Sequence, residues 1–198
     1  ALIVGFLTIL MLFVYGFPMR YFIIMFTSVG VLIPIVFEFL HDYQRARITS
    51  FLNMSQDPFG SSYNAIQSLI AIGSGGVFGK GFGQSTQSLL HFLPEQHTDF
   101  IFTVVAEELG FVGSSFLILL YAVILWRTLT IAAYTEDPTG KAMATGIAGM
   151  FLFHIFVNLG MTVGIMPVTG VPLPLFSYGG SSLLANLMAI GLLEGISM

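Results

Sequence analysis

Three ionisable side chains lie within five residues of one polar stretch: Glu95, His97 and Asp99. Such clustering stands out because only 8% of the 198 residues are charged. A carboxylate at a boundary between water and lipid can take a proton from a hydroxyl group, so Asp99 is a candidate general base. The alternative is that Asp99 caps the apolar helix that follows, where a carboxylate satisfies free backbone N–H groups. Both interpretations stay open at this point.

Two further acids, Glu107 and Glu108, follow inside the apolar segment. On a helix, Glu107 would lie about 80° around the axis from Asp99 and about 12 Å along it, whereas Glu108 would lie about 180° around. Acids at membrane depth are costly and are often functional. Glu107 is therefore a candidate for the same site as Asp99, and pairing with another segment is the alternative.

Six glycines stand within eleven residues, from Gly73 to Gly83. Neither nucleotide fingerprint fits, because Ser74 stands where a P-loop needs its first glycine and Gln84 where the dinucleotide motif needs its third. The segment either lets the backbone approach a ligand or forms a re-entrant turn. Lys80, in its middle, adds a point charge that could meet an anionic group.

A second polar pattern lies near the end of the chain, where His154, Asn158 and Thr162 recur every fourth residue. These side chains predict contacts between helices or, alternatively, a proton path. The segment that follows is rich in proline. Because lipid cannot satisfy its backbone amides, this segment must be buried in protein or line a cavity. No His pair or acid cluster in the sequence has metal-ligand spacing.

The composition indicates that lipid, and not only water, surrounds much of the chain. The chain is 56% hydrophobic with a mean hydropathy of +0.91, whereas soluble domains carry about 25% charged residues. A net charge of -4 with six Lys and Arg residues excludes the basic surface of a nucleic-acid binder. The absence of cysteine excludes disulfides and thiolate metal sites.

The apolar runs predict an all-α polytopic membrane protein with about five transmembrane helices. The third of them is predicted to end near Trp126 and Arg127. Lys and Arg divide evenly between the two sides, so charge alone does not set the orientation. Three parts are predicted: two transmembrane helices in residues 1–40, a large loop with re-entrant or interfacial helices in 41–97, and three transmembrane helices with a proline-rich loop at 167–180 in 98–198.

Long motifs spread over the chain resemble those of the SEDS proteins (shape, elongation, division and sporulation). They include Phe92-Leu-Pro-Glu-Gln-His-Thr-Asp-Phe-Ile-Phe102, Ala106-Glu-Glu-Leu-Gly110, Gly73-Ser-Gly-Gly76 and Ser177-Tyr-Gly-Gly-Ser-Ser182. The segments Gly79-Lys-Gly-Phe82 and Met166-Pro-Val-Thr-Gly-Val-Pro-Leu-Pro174 resemble the elongation branch of that family, the RodA-like proteins.

The resemblance implies the sixth to tenth spans of a ten-span protein of the bacterial inner (plasma) membrane, with residues 41–97 outside. The first half of that fold is missing here, so we expect the chain to be a fragment. The implied activity is that of a peptidoglycan glycosyltransferase, which polymerises lipid II into glycan during cell elongation. Asp99 maps onto the family's catalytic aspartate. The candidate substrate-binding residues are Arg45, Arg47, Lys80, Glu95, His97, Glu107 and Ser181.

The resemblance also implies a partner, a class B penicillin-binding protein that acts as transpeptidase. The expected ligands are lipid II and polyprenyl-pyrophosphate-linked glycan, in contact with membrane lipid and with no nucleic acid. A divalent cation, Mg²⁺ or Mn²⁺, is compatible with this chemistry, and no residues are assigned to it. The alternative functions are a flippase for the lipid-linked precursor and a scaffold for the transpeptidase.

Overall fold

The computed structural model describes residues 2–41, 44–45, 51, 63–85 and 97–197. All regular secondary structure in these ranges is α-helical, which confirms the all-α prediction. The chain begins with α1 (Leu2–Val14) and α2 (Met19–Phe39), two apolar helices joined by a tight turn. Gly16 makes that turn at φ +74, a conformation that glycine adopts without steric penalty.

The remaining helices are α3 (Tyr63–Gly75), α4 (Ile101–Tyr134), α5 (Pro138–Thr162) and α6 (Gly180–Ser197). Within the described ranges, α4, α5 and α6 are long and apolar enough to cross a membrane, and α1 and α2 contain shorter apolar stretches. These helices agree with about five spans. The division of the chain into membrane and extracytoplasmic parts stays a prediction.

Helix α4 is longer than the sequence predicted. It continues past Trp126 and Arg127 to Tyr134 and contains 34 residues. The helix does not end at these two residues because no Gly or Pro follows before Tyr134, and Ala132 is buried in the core. The next helix begins only after Asp137, whose carboxylate accepts a hydrogen bond from the backbone N–H of Gly140 at 2.6 Å.

The core lies where α4 and α5 pack together, with α3 against α4 and α6 against both. Its buried residues include Phe102, Leu117, Phe151, Ile155 and Leu193. Helix α1 packs on α5 at Gly149. A Cβ at this glycine would lie 2.9 Å from Leu10 and 3.0 Å from Leu7, so the absence of a side chain lets the two helices approach closely.

The helix directions divide the loops between the two ends of the bundle. The hydroxyl of Tyr15, in the turn after α1, donates to the carbonyl of Pro138 at the start of α5. These two turns therefore share one end. At the opposite end, the turn that precedes α4 meets the proline-rich segment between α5 and α6. Asp99 lies in that turn.

Candidate functional site

The turn at residues 97–100, directly before α4, is held by its backbone. Three consecutive carbonyls each accept a hydrogen bond from another part of the chain: His97 from the Tyr178 N–H at 2.9 Å, Thr98 from the Ser177 hydroxyl at 2.6 Å, and Asp99 from the Asn158 amide at 2.9 Å. Phe100 is almost fully buried, with 2% of its surface exposed. The turn is therefore anchored on both sides of Asp99.

The side chain of Asp99 is not the helix cap that one interpretation of the sequence predicted. Phe100 occupies the N-cap position of α4, and this helix start has no side-chain cap hydrogen bond. The Asp99 carboxylate is partly exposed. A Cβ built on Gly170 would lie 3.1 Å from its Oδ2 atom. The carboxylate therefore faces the proline-rich segment, where the glycine leaves room for it.

The proline-rich segment between α5 and α6 has no regular secondary structure, and side chains from the bundle bind its backbone. Three carbonyls are bound in this way: Val171 by Asn158 at 2.7 Å, Pro172 by His154 Nδ1 at 3.3 Å, and Pro174 by the Tyr121 hydroxyl at 2.7 Å. Two members of the polar stripe on α5, His154 and Asn158, thus bind the backbone of this irregular segment, where the sequence predicted contacts between helices. Protein groups satisfy backbone that lipid could not.

Helix α4 is broken at Gly110, which has φ +66 and ψ -158. In a continuous helix, the carbonyls of Glu107 and Glu108 would accept from the N–H groups four residues later. Instead, these two carbonyls and the N–H groups of Phe111 and Val112 form hydrogen bonds with the backbone of the glycine-rich segment. The four bonds are Lys80 N–H to Glu107 at 3.0 Å, Gly81 N–H to Glu108 at 3.0 Å, Phe111 N–H to Gly76 at 2.9 Å, and Val112 N–H to Val77 at 3.1 Å.

We call residues 76–85 the glycine clasp. A Cβ at Gly79 would lie 2.0 Å from the carbonyl oxygen of Glu108, and one at Gly110 would lie 2.3 Å from the nitrogen of Gly79. No side chain fits at either position. The glycines therefore allow one stretch of backbone to approach another, an arrangement that neither interpretation of the sequence included. Completing the backbone hydrogen bonds of a broken helix is essential inside a membrane.

Side chains reinforce the clasp at Glu107, which is fully buried. Its carboxylate accepts from Lys80 Nζ at 2.8 Å and from the Ser85 hydroxyl at 2.5 Å. Glu108 accepts from the Gly83 N–H at 3.1 Å. Glu107 therefore pairs with another segment of the chain, which was the second of the two interpretations of the sequence. A role for Lys80 or Glu107 in substrate binding stays a prediction, and 28% of the Lys80 side chain is exposed.

Three of the other predicted substrate-binding residues, Arg45, His97 and Ser181, lie among the described residues. Arg45 is partly buried and its guanidinium donates to the carbonyl of Glu38. His97 is exposed next to Asp99, and Ser181 is exposed in the first turn of α6. Arg47 and Glu95 lie outside the described residues. In the described part of the chain, no group of three or more acidic or His side chains could hold a metal ion.

Two residues that contact the Asp99 turn, Ser177 and Gly170, were given no role from the sequence. Tyr121, which binds the proline-rich segment at Pro174, was also given none. Each contacts a segment distant in sequence, so no local pattern marks it. The proline-rich segment was the available signal. A buried irregular segment must have partners for its carbonyls, and hydroxyl and amide side chains on neighbouring helices are the groups that can provide them.

Comparison with known proteins gives one family. The sequence profile of the FtsW, RodA and SpoVE family, described as cell cycle protein, matches residues 1–198. The peptidoglycan glycosyltransferase MrdB of Escherichia coli K12 is 49% identical over 186 residues, which are 93% of this chain and 50% of that protein. The peptidoglycan glycosyltransferase RodA of Treponema pallidum is 51% identical over 158 residues, 80% of this chain and 36% of that protein.

A solved structure supports the same conclusion. One chain of a peptidoglycan synthase complex, described in terms of the coordination of polymerization and crosslinking, superposes with a TM-score of 0.80 at 36% identity. The match covers all of this chain and 54% of the other. The chain likewise spans about half the length of the first curated relatives it matches.

Proposed function

Because the chain belongs to the FtsW, RodA and SpoVE family of cell cycle proteins, we propose that it carries the general base of a peptidoglycan glycosyltransferase. The proposed enzyme is a multi-pass protein of the bacterial inner membrane. It polymerises lipid II into glycan strands during cell elongation and rod-shape maintenance. The names of the relatives MrdB and RodA, both peptidoglycan glycosyltransferases, support this reaction class.

The geometry of the Asp99 turn carries the proposal. Asp99 is partly exposed, it does not cap α4, and its backbone carbonyl is fixed by Asn158. A general base must be held within hydrogen-bond reach of the proton that it removes. A turn anchored through three successive carbonyls meets this requirement, because it fixes the backbone from which the Asp99 side chain extends.

In the proposed step, Asp99 takes the proton from a sugar hydroxyl of one lipid-linked molecule. The hydroxyl oxygen forms a bond to the anomeric carbon of the second molecule. The bond from that carbon to the pyrophosphate oxygen breaks, and polyprenyl pyrophosphate leaves with the electron pair. The glycan is lengthened, and the proton remains on the Asp99 carboxylate until water removes it.

Negative charge develops on the leaving pyrophosphate, so cations placed nearby should stabilise the transition state. Arg45, Arg47 and Lys80 are the proposed cations. Glu95, His97, Glu107 and Ser181 are the proposed polar contacts to the sugars. The described residues offer no cluster for Mg²⁺ or Mn²⁺, and no step in this proposal passes through a metal ion.

The proposed site faces the extracytoplasmic side, where a lipid-linked precursor and the growing wall would meet. The proposed partner is a class B penicillin-binding protein that supplies the transpeptidase. This partner suits the similarity to a chain of a peptidoglycan synthase complex that couples polymerization to crosslinking. Strand growth and crosslinking would then occur in one assembly.

A flippase for the lipid-linked precursor is the second candidate, favoured by the break in α4 at Gly110. Broken helices within a membrane often form transport sites. The test is to purify the complete reading frame that contains this chain, together with its candidate transpeptidase, in detergent with labelled lipid II. A polymerase lengthens glycan where no membrane separates two compartments. Movement of lipid II across liposomes without glycan product in detergent would support the flippase and reject the polymerase.

A further inference from the structure

Asn158 of α5 connects the Asp99 turn to the proline-rich segment. Its side chain is fully buried. The single nitrogen Nδ2 donates to the carbonyl of Asp99 at 2.9 Å and to the carbonyl of Val171 at 2.7 Å. An amide nitrogen has two hydrogens, so both donors are used, and they bind two segments that lie far apart in the sequence.

The orientation of this amide follows from its partners. With the oxygen and nitrogen exchanged, Oδ1 would face two carbonyl oxygens and repel both. In the observed orientation, Oδ1 is buried and has no hydrogen-bond partner among the described residues. Asn158 therefore serves as a double donor, a function that neither Asp nor Leu of similar size can provide.

The two bound carbonyls belong to the two segments that meet at the Asp99 carboxylate. One belongs to Asp99 itself, and the other belongs to Val171, the neighbour of the glycine that Oδ2 faces. We propose that Asn158 is a positioning residue, which sets the distance between the Asp99 carboxylate and the wall formed by the proline-rich segment. This inference rests on the function proposed for Asp99. Asn158 itself need not touch substrate.

The alternative is that Asn158 only stabilises the fold. Tyr121 gives the matched control, because its hydroxyl also binds a carbonyl of the proline-rich segment, that of Pro174, at 2.7 Å. Tyr121→Phe removes one buried hydrogen bond to that segment and leaves the Asp99 turn bound. Substitution of either Asn158 or Tyr121 should lower the midpoint temperature of thermal unfolding. Only loss of the Asn158 donors should change the position of Asp99.

The experiment compares Asn158→Ala, Tyr121→Phe and Asp99→Asn in the complete reading frame, using polymerisation of labelled lipid II and hydrogen exchange. Asn158→Ala should lower kcat about tenfold or more and change KM by less than about threefold, because a small misplacement of a catalytic group is costly. Amide exchange in residues 97–103 should rise. Tyr121→Phe should keep kcat within about threefold of wild type and leave that exchange unchanged.

Wild-type kcat in Asn158→Ala, or an equal loss in Tyr121→Phe, would overturn the positioning role. If Asn158→Ala does not fold, Ser177→Ala decides, since it removes the donor to the neighbouring Thr98 carbonyl. If Ser177→Ala lowers kcat and raises amide exchange in residues 97–103, anchoring of the turn is supported. If both quantities stay at wild-type values, the positioning role of the anchored turn is rejected. Full activity in Asp99→Asn would instead reject the proposed base, so the two failures are distinguishable.

Discussion

Lys80 and Glu107 contact each other twice. The backbone N–H of Lys80 donates to the Glu107 carbonyl at 3.0 Å, and its Nζ binds the Glu107 carboxylate at 2.8 Å. The first contact completes the hydrogen bonding of a helix broken at Gly110, and the second compensates a buried charge. One residue pair thus fixes the register of the glycine clasp on α4.

This pair predicts an asymmetry between two variants. Lys80→Met leaves the carboxylate of Glu107 buried without its cation, and should lower stability by about 3 kcal/mol. Glu107→Gln should cost less, since the Gln amide oxygen can still accept from Lys80, the amide N–H can donate to the Ser85 hydroxyl, and Lys80 is partly exposed. Thermal unfolding in detergent measures both. If Glu107→Gln lowered the stability as much as Lys80→Met or more, the result would contradict the account.

The double variant Lys80→Met with Glu107→Gln removes the pair without leaving a buried charge. It should be more stable than Lys80→Met alone, because the two substitutions are coupled. Its polymerisation rate then measures the predicted role of Lys80 toward pyrophosphate separately from folding. If the double variant were as active as Glu107→Gln alone, Lys80 would not be a substrate-binding residue.

The glycine clasp predicts a large difference between two glycines with similar φ angles. Gly79 (φ +79) and Gly83 (φ +69) both lie in the left-handed region, where alanine costs about 1 kcal/mol or somewhat more. A Cβ at Gly79 would collide with the carbonyl of Glu108 at 2.0 Å, whereas nothing lies within 4 Å of one at Gly83. Gly79→Ala should abolish folded protein in size-exclusion chromatography. Gly83→Ala should remain folded, and similar behaviour of the two would show that the close approach does not matter.

Much of the fold was predictable from the sequence because apolar runs and breaking residues are local signals. The kink in α4 was not, because Gly110 lies inside an apolar run that reads as a continuous helix. Its cause is the glycine clasp, about 30 residues earlier in the chain, which supplies the missing hydrogen bonds. Likewise, the contacts of Asp99 depend on Asn158 and Gly170, which only the packing of α4 against α5 brings near.

Gly170 predicts a test of the space beside the Asp99 carboxylate. A Cβ there would lie 3.1 Å from Oδ2, at a strained φ of +68. Gly170→Ala should displace the carboxylate and lower kcat about tenfold or more. The measurement is polymerisation of lipid II at saturating substrate, with folding checked by thermal unfolding.

Two controls separate the causes in Gly170→Ala. Gly179→Ala adds a methyl group near the same segment in ordinary contact, 3.5 Å from Ser182 Cβ. Gly83→Ala adds the same kind of backbone strain far from Asp99 in sequence. Both should retain near wild-type kcat. A loss in Gly179→Ala as large as in Gly170→Ala would show that the effect is not specific to the carboxylate.

The most direct test of the central claim is the polymerisation rate of Asp99→Asn in the complete reading frame. The substitution keeps the shape of the side chain and the backbone carbonyl that Asn158 binds, so it removes little besides the base. Asp137→Asn is the matched control, because Asn caps a helix about as well as Asp. We expect Asp99→Asn to unfold at the wild-type temperature and to lose about 100-fold or more in rate, with Asp137→Asn unchanged. Glycan synthesis by Asp99→Asn at the wild-type rate would contradict the account.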